Sequence, residues 1–282
     1  MQKFVDFQVT QEHDGLTVRD FLLSFGVSKK NVYKQEMFNL IRVNNKLEKL
    51  HYKLKTNDKL SFKLIPLDEM VEPFYGEVEI VYEDEDVLLV NKPIKLLIHE
   101  DGNTKDTLTN RISYHFQAKG FVCPVLPVHR IDFETSGIVL YAKHFISLAY
   151  LSKQFRDDEV KKTYIAICEG YFNKPDGIIN LNIGKDRHSN KQIVVDSGKE
   201  AKTEYFVINQ KDDLSLVELH IQEGRRHQIR VHLSYLGHPI VGDMLYGKTK
   251  ANRMMLHAKK LEFVHPRTLK TFSFEVKEPF SI

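Results

Sequence analysis

The chain has 282 residues, 42% of them hydrophobic and 28% charged, enough apolar material for one large domain or a large one plus a small one. No apolar run reaches bilayer length, and the opening MQKFVDFQVTQEHDG lacks the apolar region of a secretory signal. The only two cysteines, Cys123 and Cys168, lie in apolar stretches that suit reduced core residues better than a disulfide framework or a zinc site, so a cytoplasmic protein is expected. Net charge is only +3, yet residues 1–66 hold 12 Lys and Arg against 7 Asp and Glu. A phosphate-binding surface and an ordinary lysine-rich one explain that surplus equally well.

In chain order, TVRDFLLS from Thr17 predicts a short helix burying Val18 and Leu22. Ser28 is placed to cap a second helix, SKKNVYKQEMF. The period then changes: Asn44-Asn45 sits between strand-like flanks and suits the left-handed backbone of a tight hairpin, and KLSFKL alternates as a half-buried strand. These elements define a small unit over residues 1–66. Residues 67–74, rich in turn formers, read as a linker to a body spanning 75–282.

In the body, VEIVYEDEDVLLVNKP predicts two strands around the acidic turn 83–86. HFISLAYLSKQFRD spaces Phe145, Leu148, Leu151 and Phe155 as a core-packing helix. TYIAICEGYF, AKTEYFVINQ, LSLVELHIQ and KTFSFEVKEP are further strands. RRHQIRVHLSYLGHP predicts a helix with Ile229, Leu233 and Leu236 on one face, ended by Gly237 with Pro239 beyond it. Strands dominate without regular strand–helix alternation, which predicts an α+β protein with a mixed sheet.

Three polar spots interrupt apolar flanks: HRIDFETSG (129–137), KKTY (161–164) and EGRRHQIRVH (223–232). His227 and His232 do not suggest a metal, because positions five apart on a helix point about 140° away from each other. Asp132 and Glu134 are too close in sequence to straddle a sugar as a glycosidase pair would, and Ser136 lacks a nucleophile-elbow turn. A single acid, Asp132, beside arginines remains. A cation close to a buried aspartate keeps it ionised and available as nucleophile or base, and Arg130 and Arg225 are the candidate partners. An ordinary Arg–Asp pair bracing a loop fits the same pattern equally well.

At these residues the chain resembles the RluA-type RNA pseudouridine synthases. The resemblance rests on ordered segments: NKPIKLLIH (91–99), HRIDFETSGIVLYAK (129–143), KKTYIAICEG (161–170), EGRRHQIRVHLSYLGHPIVGDMLYG (223–247) and RMMLHAKKLEFVHP (253–266). It implies a largely antiparallel central sheet and isomerisation of uridine to pseudouridine in RNA. It further implies that Asp132 is the catalytic aspartate and Arg225 its salt-bridge partner, with Tyr164 stacking on the target uracil and assisting proton transfer from C5. By the same resemblance Arg130 enters the RNA and occupies the space left by the flipped nucleotide. Such an isomerisation consumes no redox equivalent or phosphate energy, so no cofactor and no metal are expected. The target nucleotide must be everted, at a cost of a few kcal/mol, and stacking on Tyr164 could return about 1–3 kcal/mol of that.

Two positions depart from the family pattern: Phe133 replaces a basic residue, and Lys95 stands where glycine is usual. Residues 14–66 resemble an S4-like RNA-binding domain, with Lys29, Lys30 and Lys34 as phosphate contacts and Asn45 in place of a glycine. Ribosomal RNA is the expected substrate and transfer RNA the second candidate, for a monomer with no membrane contact. The competing reading is a non-catalytic RNA-binding or ribosome-assembly protein of the same fold.

Overall fold

The computed structural model describes residues 4–64, 71–121, 124–189 and 191–282. In the first of these segments β1 (Phe4–Gln8), α1 (Val18–Ser24), α2 (Lys29–Met37), β2 (Ile41–Val43), β3 (Lys46–Leu47) and β4 (Lys59–Lys63) follow in order. The strands form an antiparallel sheet, β1-β4-β2-β3. Thr17 and Ser28 cap the helices, accepting from the backbone N–H of Asp20 (3.1 Å) and Asn31 (3.3 Å). Asn44 and Asn45 take the left-handed backbone the hairpin requires, with φ of 49° and 67°. β1 is not among the elements expected from the sequence. Its Val5 and Phe7 alternate inward, but the partner that makes it a strand is remote: Phe4 pairs with Lys63.

The body begins with β5 (Glu79–Glu83), β6 (Val87–Lys92), α3 (Leu108–Ala118), β7 (Leu126–Pro127), β8 (Ser136–Ala142) and α4 (Phe145–Arg156). Next come β9 (Lys161–Glu169), β10 (Asp176–Asn180), β11 (Ile183–Lys185), β12 (Gln192–Val194), β13 (Lys202–Lys211) and β14 (Leu214–Ile221). α5 (Gln228–Tyr235), β15 (Leu256–Val264) and β16 (Thr271–Glu275) complete it. Ten strands join in one sheet of order β10-β13-β14-β9-β15-β8-β6-β5, with β16 on β15 and β7 on β8, while β11 and β12 pair separately. Every contact in it is antiparallel except that of β8 with β15. This is the α+β architecture with a mixed, largely antiparallel sheet that the sequence predicts.

That one parallel contact positions the site. Ala258 on β15 faces Gly137 of β8 on one side and Tyr164 of β9 on the other. The approach is so close that a Cβ on Gly137, whose φ is +119°, would lie 2.2 Å from the Ala258 carbonyl oxygen. The loop leading into Gly137 is thereby fixed beside Tyr164, although the two are far apart in sequence.

α4 packs on two sides. Leu151, with Leu148 and Phe155, joins the core under β6, β8 and β15. Ile146, with Phe145, Ala149 and Tyr150, closes the core of the N-terminal sheet and helices. Phe62 meets Phe145 edge-on at 6.1 Å, and Phe25 contacts Tyr150 at 5.4 Å. Of the expected linker, residues 67–70 lie outside the described residues. Residues 71–74 lie against α3: the Val71 carbonyl accepts from Ser113, the Glu72 carbonyl from Asn110, and the Phe74 N–H donates to the Asn110 carbonyl. Cys168 is a buried free thiol, and Cys123 lies outside the described residues. Leu236, expected on the buried face of α5, follows the last helical residue and is exposed. Among the described residues no helix is long and apolar enough to cross a membrane.

Candidate active site

Asp132 lies on the loop between β7 and β8, where its carbonyl accepts from the Thr135 N–H at 3.1 Å and closes a turn. The loop is clamped from below. The Phe133 carbonyl accepts from the Lys95 N–H (2.8 Å) and from Lys92 Nζ (3.2 Å). Lys92 is fully buried, and its ammonium also reaches the carbonyls of Pro93 and Leu96, each at 2.9 Å. Burial pulls its pKa down to about 7, against the nearby Asp132, which raises it. Three carbonyls use all three donors of the charged form. Lys95 occupies its glycine-like position with φ of 57°, so the departure in sequence leaves a left-handed turn in place. On the strand side, Ser136 Oγ meets His257 Nδ1 at 2.8 Å and accepts from Arg253 at 2.6 Å.

The partner of Asp132 is Arg230, not Arg225. Arg230 Nη1 donates to Asp132 Oδ2 at 3.1 Å. The same guanidinium grips Asp243 with two hydrogen bonds, Nε at 2.7 Å and Nη2 at 2.8 Å. Arg230 sits in the first turns of α5 with its side chain only 4% exposed, whereas Arg225 precedes the helix, is exposed, and donates from Nε to the Glu200 carbonyl at 2.9 Å. Burial alone would raise the Asp243 carboxyl, but the Arg230 hydrogen bonds and charge hold it below the usual carboxylate range. Burial likewise opposes the Arg230 charge, and Asp243 with Asp132 outweighs it and raises its pKa. The side chain of Asp243 has no exposure, while that of Asp132 keeps 30%. Arg230 is therefore a buried cation that anchors one closed carboxylate and presents one open one.

His227 stands beside them, with Nε2 at 3.9 Å from Asp132 Oδ2 and Nδ1 at 3.0 Å from the Tyr246 hydroxyl. Burial lowers its pKa. Tyr164 faces the same pocket from β9, and burial, reinforced by the Asp132 charge, pushes its phenol well above the usual range. The group is thus a protonated ring at neutral pH, suited to stacking or hydrogen-bond donation rather than to accepting a proton. His129 is scaffold: Nε2 accepts from the Leu140 N–H at 3.1 Å, its ring stacks on Phe155 at 4.8 Å, and burial lowers its pKa to about 3.

The cavity between Asp132, Tyr164 and Arg230 is only about 70 Å³, and two larger grooves share Arg130, Ile131 and Asp132 with it. One, of about 740 Å³, runs past Arg130, Arg156, Lys162, Arg225 and Arg226. The other, of about 610 Å³, runs past Leu97, Ile98, Phe133 and Leu245. Arg130 borders all three and is exposed. Lys29, Lys30 and Lys34 are exposed on α2, away from this cleft, interleaved with exposed Tyr33, Met37 and Phe38.

Elsewhere, Asp84, Asp86 and His265 bring ligand atoms within 4.8 Å of one another. Asp86 accepts from Arg267 (2.6 and 3.1 Å) and pairs with His144 (2.8 Å), and His265 Nε2 lies 2.9 Å from Asp84 Oδ2, so these groups already have partners within the chain.

The residues that the motifs leave unassigned are Arg230, Asp243, Lys92 and His227. A signal did exist: a helix start with three arginines, followed by a Gly-Asp pair at 242–243, holds both the cation and the acid it must satisfy.

The fold and the cleft define a nucleic-acid-modifying enzyme of the pseudouridine synthase class, and comparison with known proteins bears this out. The family described as RNA pseudouridylate synthase matches residues 86–235. A Bacillus subtilis protein named as an uncharacterized RNA pseudouridine synthase, YhcT, is 40% identical over 273 residues, covering 94% of this chain and 90% of that protein. The ribosomal large subunit pseudouridine synthase D of Borreliella burgdorferi is 38% identical over 228 residues, covering 76% and 70%. The structure of human RNA pseudouridylate synthase domain containing 1 aligns with a TM-score of 0.64 at 29% identity, over 73% of this chain and 85% of that one. The chain belongs to the RluA-type RNA pseudouridine synthase family and is an isomerase acting on RNA.

Proposed function

We propose that this synthase isomerises specific uridines in structured RNA, ribosomal RNA first and transfer RNA second, with Asp132 as the catalytic carboxylate. The observation that carries the assignment is the asymmetry around Arg230: of its two carboxylates, only Asp132 opens to the cleft, and it does so opposite Tyr164. Asp132 acts at the sugar of an everted uridine while the N1–C1′ bond breaks. The uracil turns on its Tyr164 platform and rejoins through C5; the C5 proton passes to water in the open cleft and N1 takes one from water, so atoms and charge balance. Tyr164 holds the ring, and burial with the Asp132 charge raises its phenol above the usual range, which favours the neutral form.

Arg130, at the meeting point of the cavity and both grooves, occupies the place of the everted nucleotide. Arg225 lies in the cationic groove and contacts phosphate there, having no role at the carboxylate. Residues 1–66 act as an S4-like RNA-binding unit through α2, where Lys29, Lys30 and Lys34 meet phosphates and Tyr33 offers a ring to a base. The reading of ribosomal RNA as substrate draws on this second RNA-binding face and on the relative from Borreliella, whose name places its action on the large ribosomal subunit.

The test is a comparison of pseudouridine maps of ribosomal and transfer RNA from cells with and without the protein. Loss of one or a few ribosomal sites is expected. Sites lost only from transfer RNA would replace the first substrate by the second, and unchanged maps would overturn the proposal.

A further inference from the structure

Phe133 is an aromatic that folding has left out of the core, 46% exposed, on a loop that folding holds rigidly. Its carbonyl is gripped by Lys95 and Lys92, and the residue lines the groove that also holds Leu97, Ile98 and Leu245. Because the anchoring is through the backbone, the ring is presented at little further ordering cost, as a binding platform needs to be. We propose that Phe133 stacks on a second, non-reacting nucleobase of the RNA, the neighbour of the everted uridine.

Three features of the groove favour a base over any other occupant. It shares Arg130, Asp132, His227 and Arg230 with the catalytic cavity, so a strand that delivers a uridine to Asp132 passes its rim. Its wall is apolar at Leu97, Ile98, Ile131 and Leu245, and its volume of about 610 Å³ far exceeds the 70 Å³ of the central cavity. Its charge is divided: Arg130 and Arg226 lie on the edge shared with the cationic groove, whereas Glu100, Asp101 and Glu134 also line it. Phosphates are drawn to the arginine edge and repelled by the acids, which leaves the apolar wall for the uncharged part of a nucleotide. A ring at position 133 thus supplies stacking, which tolerates any base, where a basic side chain would supply only charge.

The inference rests on the proposed RNA chemistry at Asp132, and two probes keep their failures apart. The first is total RNA from cells lacking the enzyme, assayed for pseudouridine with wild type and with Phe133→Ala, Phe133→Leu and Phe133→Tyr. The second is a single-stranded RNA heptamer with a central uridine flanked on one side or the other by 2-aminopurine, whose fluorescence is quenched by stacking. Phe133→Ala and Phe133→Leu are expected to raise KM about tenfold with kcat within about twofold, and to abolish the quenching. Phe133→Tyr restores both, and all three variants keep the wild-type Tm because the ring is not in the core. Wild-type KM and quenching in Phe133→Leu would overturn the proposal, and so would a fall in kcat alone, which would mean that the ring shapes the catalytic loop. If quenching follows the ring but wild type forms no pseudouridine, the stacking site stands and the reading of Asp132 falls.

Discussion

Two arginines in this protein each serve a buried carboxylate, and they end differently. Arg267 grips Asp86 with two hydrogen bonds, donates to the Asp6 carbonyl and lies over the Phe7 ring at 4.8 Å. Its Nη2 also lies 3.8 Å from the exposed Glu85 carboxylate, while His144 and Ser147 complete the hydrogen bonding of the buried Asp86. Burial raises the Asp86 carboxyl, but hydrogen bonds from His144 and Arg267 outweigh it and hold it well below the usual range. That cluster ties β1 to the body beside α4. Arg230 makes the same two-pronged grip on Asp243 but extends one further N–H to a carboxylate that is open to a cleft. The same chemistry gives a lock where the gripped carboxylate is closed off, and a candidate site where a second carboxylate opens to a cleft. Ion-pair geometry alone does not tell the two apart; the exposure of the Asp132 side chain, 30% against 2% for Asp86, does.

Removing each arginine breaks the comparison most sharply. Arg230→Met leaves Asp243 buried without its cation, so about 3–5 kcal/mol of stability should be lost together with pseudouridine formation; Arg230→Lys should recover stability in part and activity little. Urea unfolding and a pseudouridine assay read the two effects. Arg267→Ala should cost about 2 kcal/mol, less because the side chain is partly exposed and His144 remains on Asp86, and should leave activity per folded molecule unchanged. A loss of turnover at full stability in Arg267→Ala would erase the distinction between lock and site.

Acid sharpens the lock side. Glu83 is raised by burial, but hydrogen bonds from His115, Lys119 and Lys143 outweigh that and bring it from 4.5 to about 2. A carboxyl depressed in the folded state stabilises above its unfolded pKa and stops doing so as pH falls through the folded one. Tm should therefore drop as pH falls from about 4.5 to about 2, and Glu83→Gln, less stable at neutral pH, should show a shallower drop. The smallest effect is expected at Arg225. Arg225→Ala should raise KM about threefold, with kcat and Tm unchanged, and should reduce the salt dependence of RNA binding by about one phosphate contact. A fall in kcat like that of Arg230→Met would return Arg225 to the carboxylate.

Local chemistry was legible where it is decided locally. The cap at Ser28, the Asn44-Asn45 turn, the periodicity of α4 and the stop at Gly237 all follow from neighbours in sequence. β1 was not, because Val5 and Phe7 make a strand only against residues 60 and 62. α3 is not among the expected elements, although Leu108, Ile112 and Phe116 recur at helical spacing; Thr109, Asn110 and Ser113 share its buried face and dilute that stripe. The segments carrying Asp132 and Tyr164 stood out as polarity between apolar flanks, but the arginine that holds Asp132 did not. Two arginines five residues apart offer the same charge, and only the start of α5, which turns Arg230 inward toward Asp243, chooses between them.

The most direct measurement is single-turnover pseudouridine formation by purified wild type and Asp132→Asn on RNA from cells lacking the enzyme. Wild type should form pseudouridine, and the variant should bind the RNA, keep its Tm and be slower by about four orders of magnitude or more. An Asp132→Asn protein that modifies the RNA at a rate near wild type would contradict the account, because the one carboxylate Arg230 leaves open to the cleft would then have no part in the reaction.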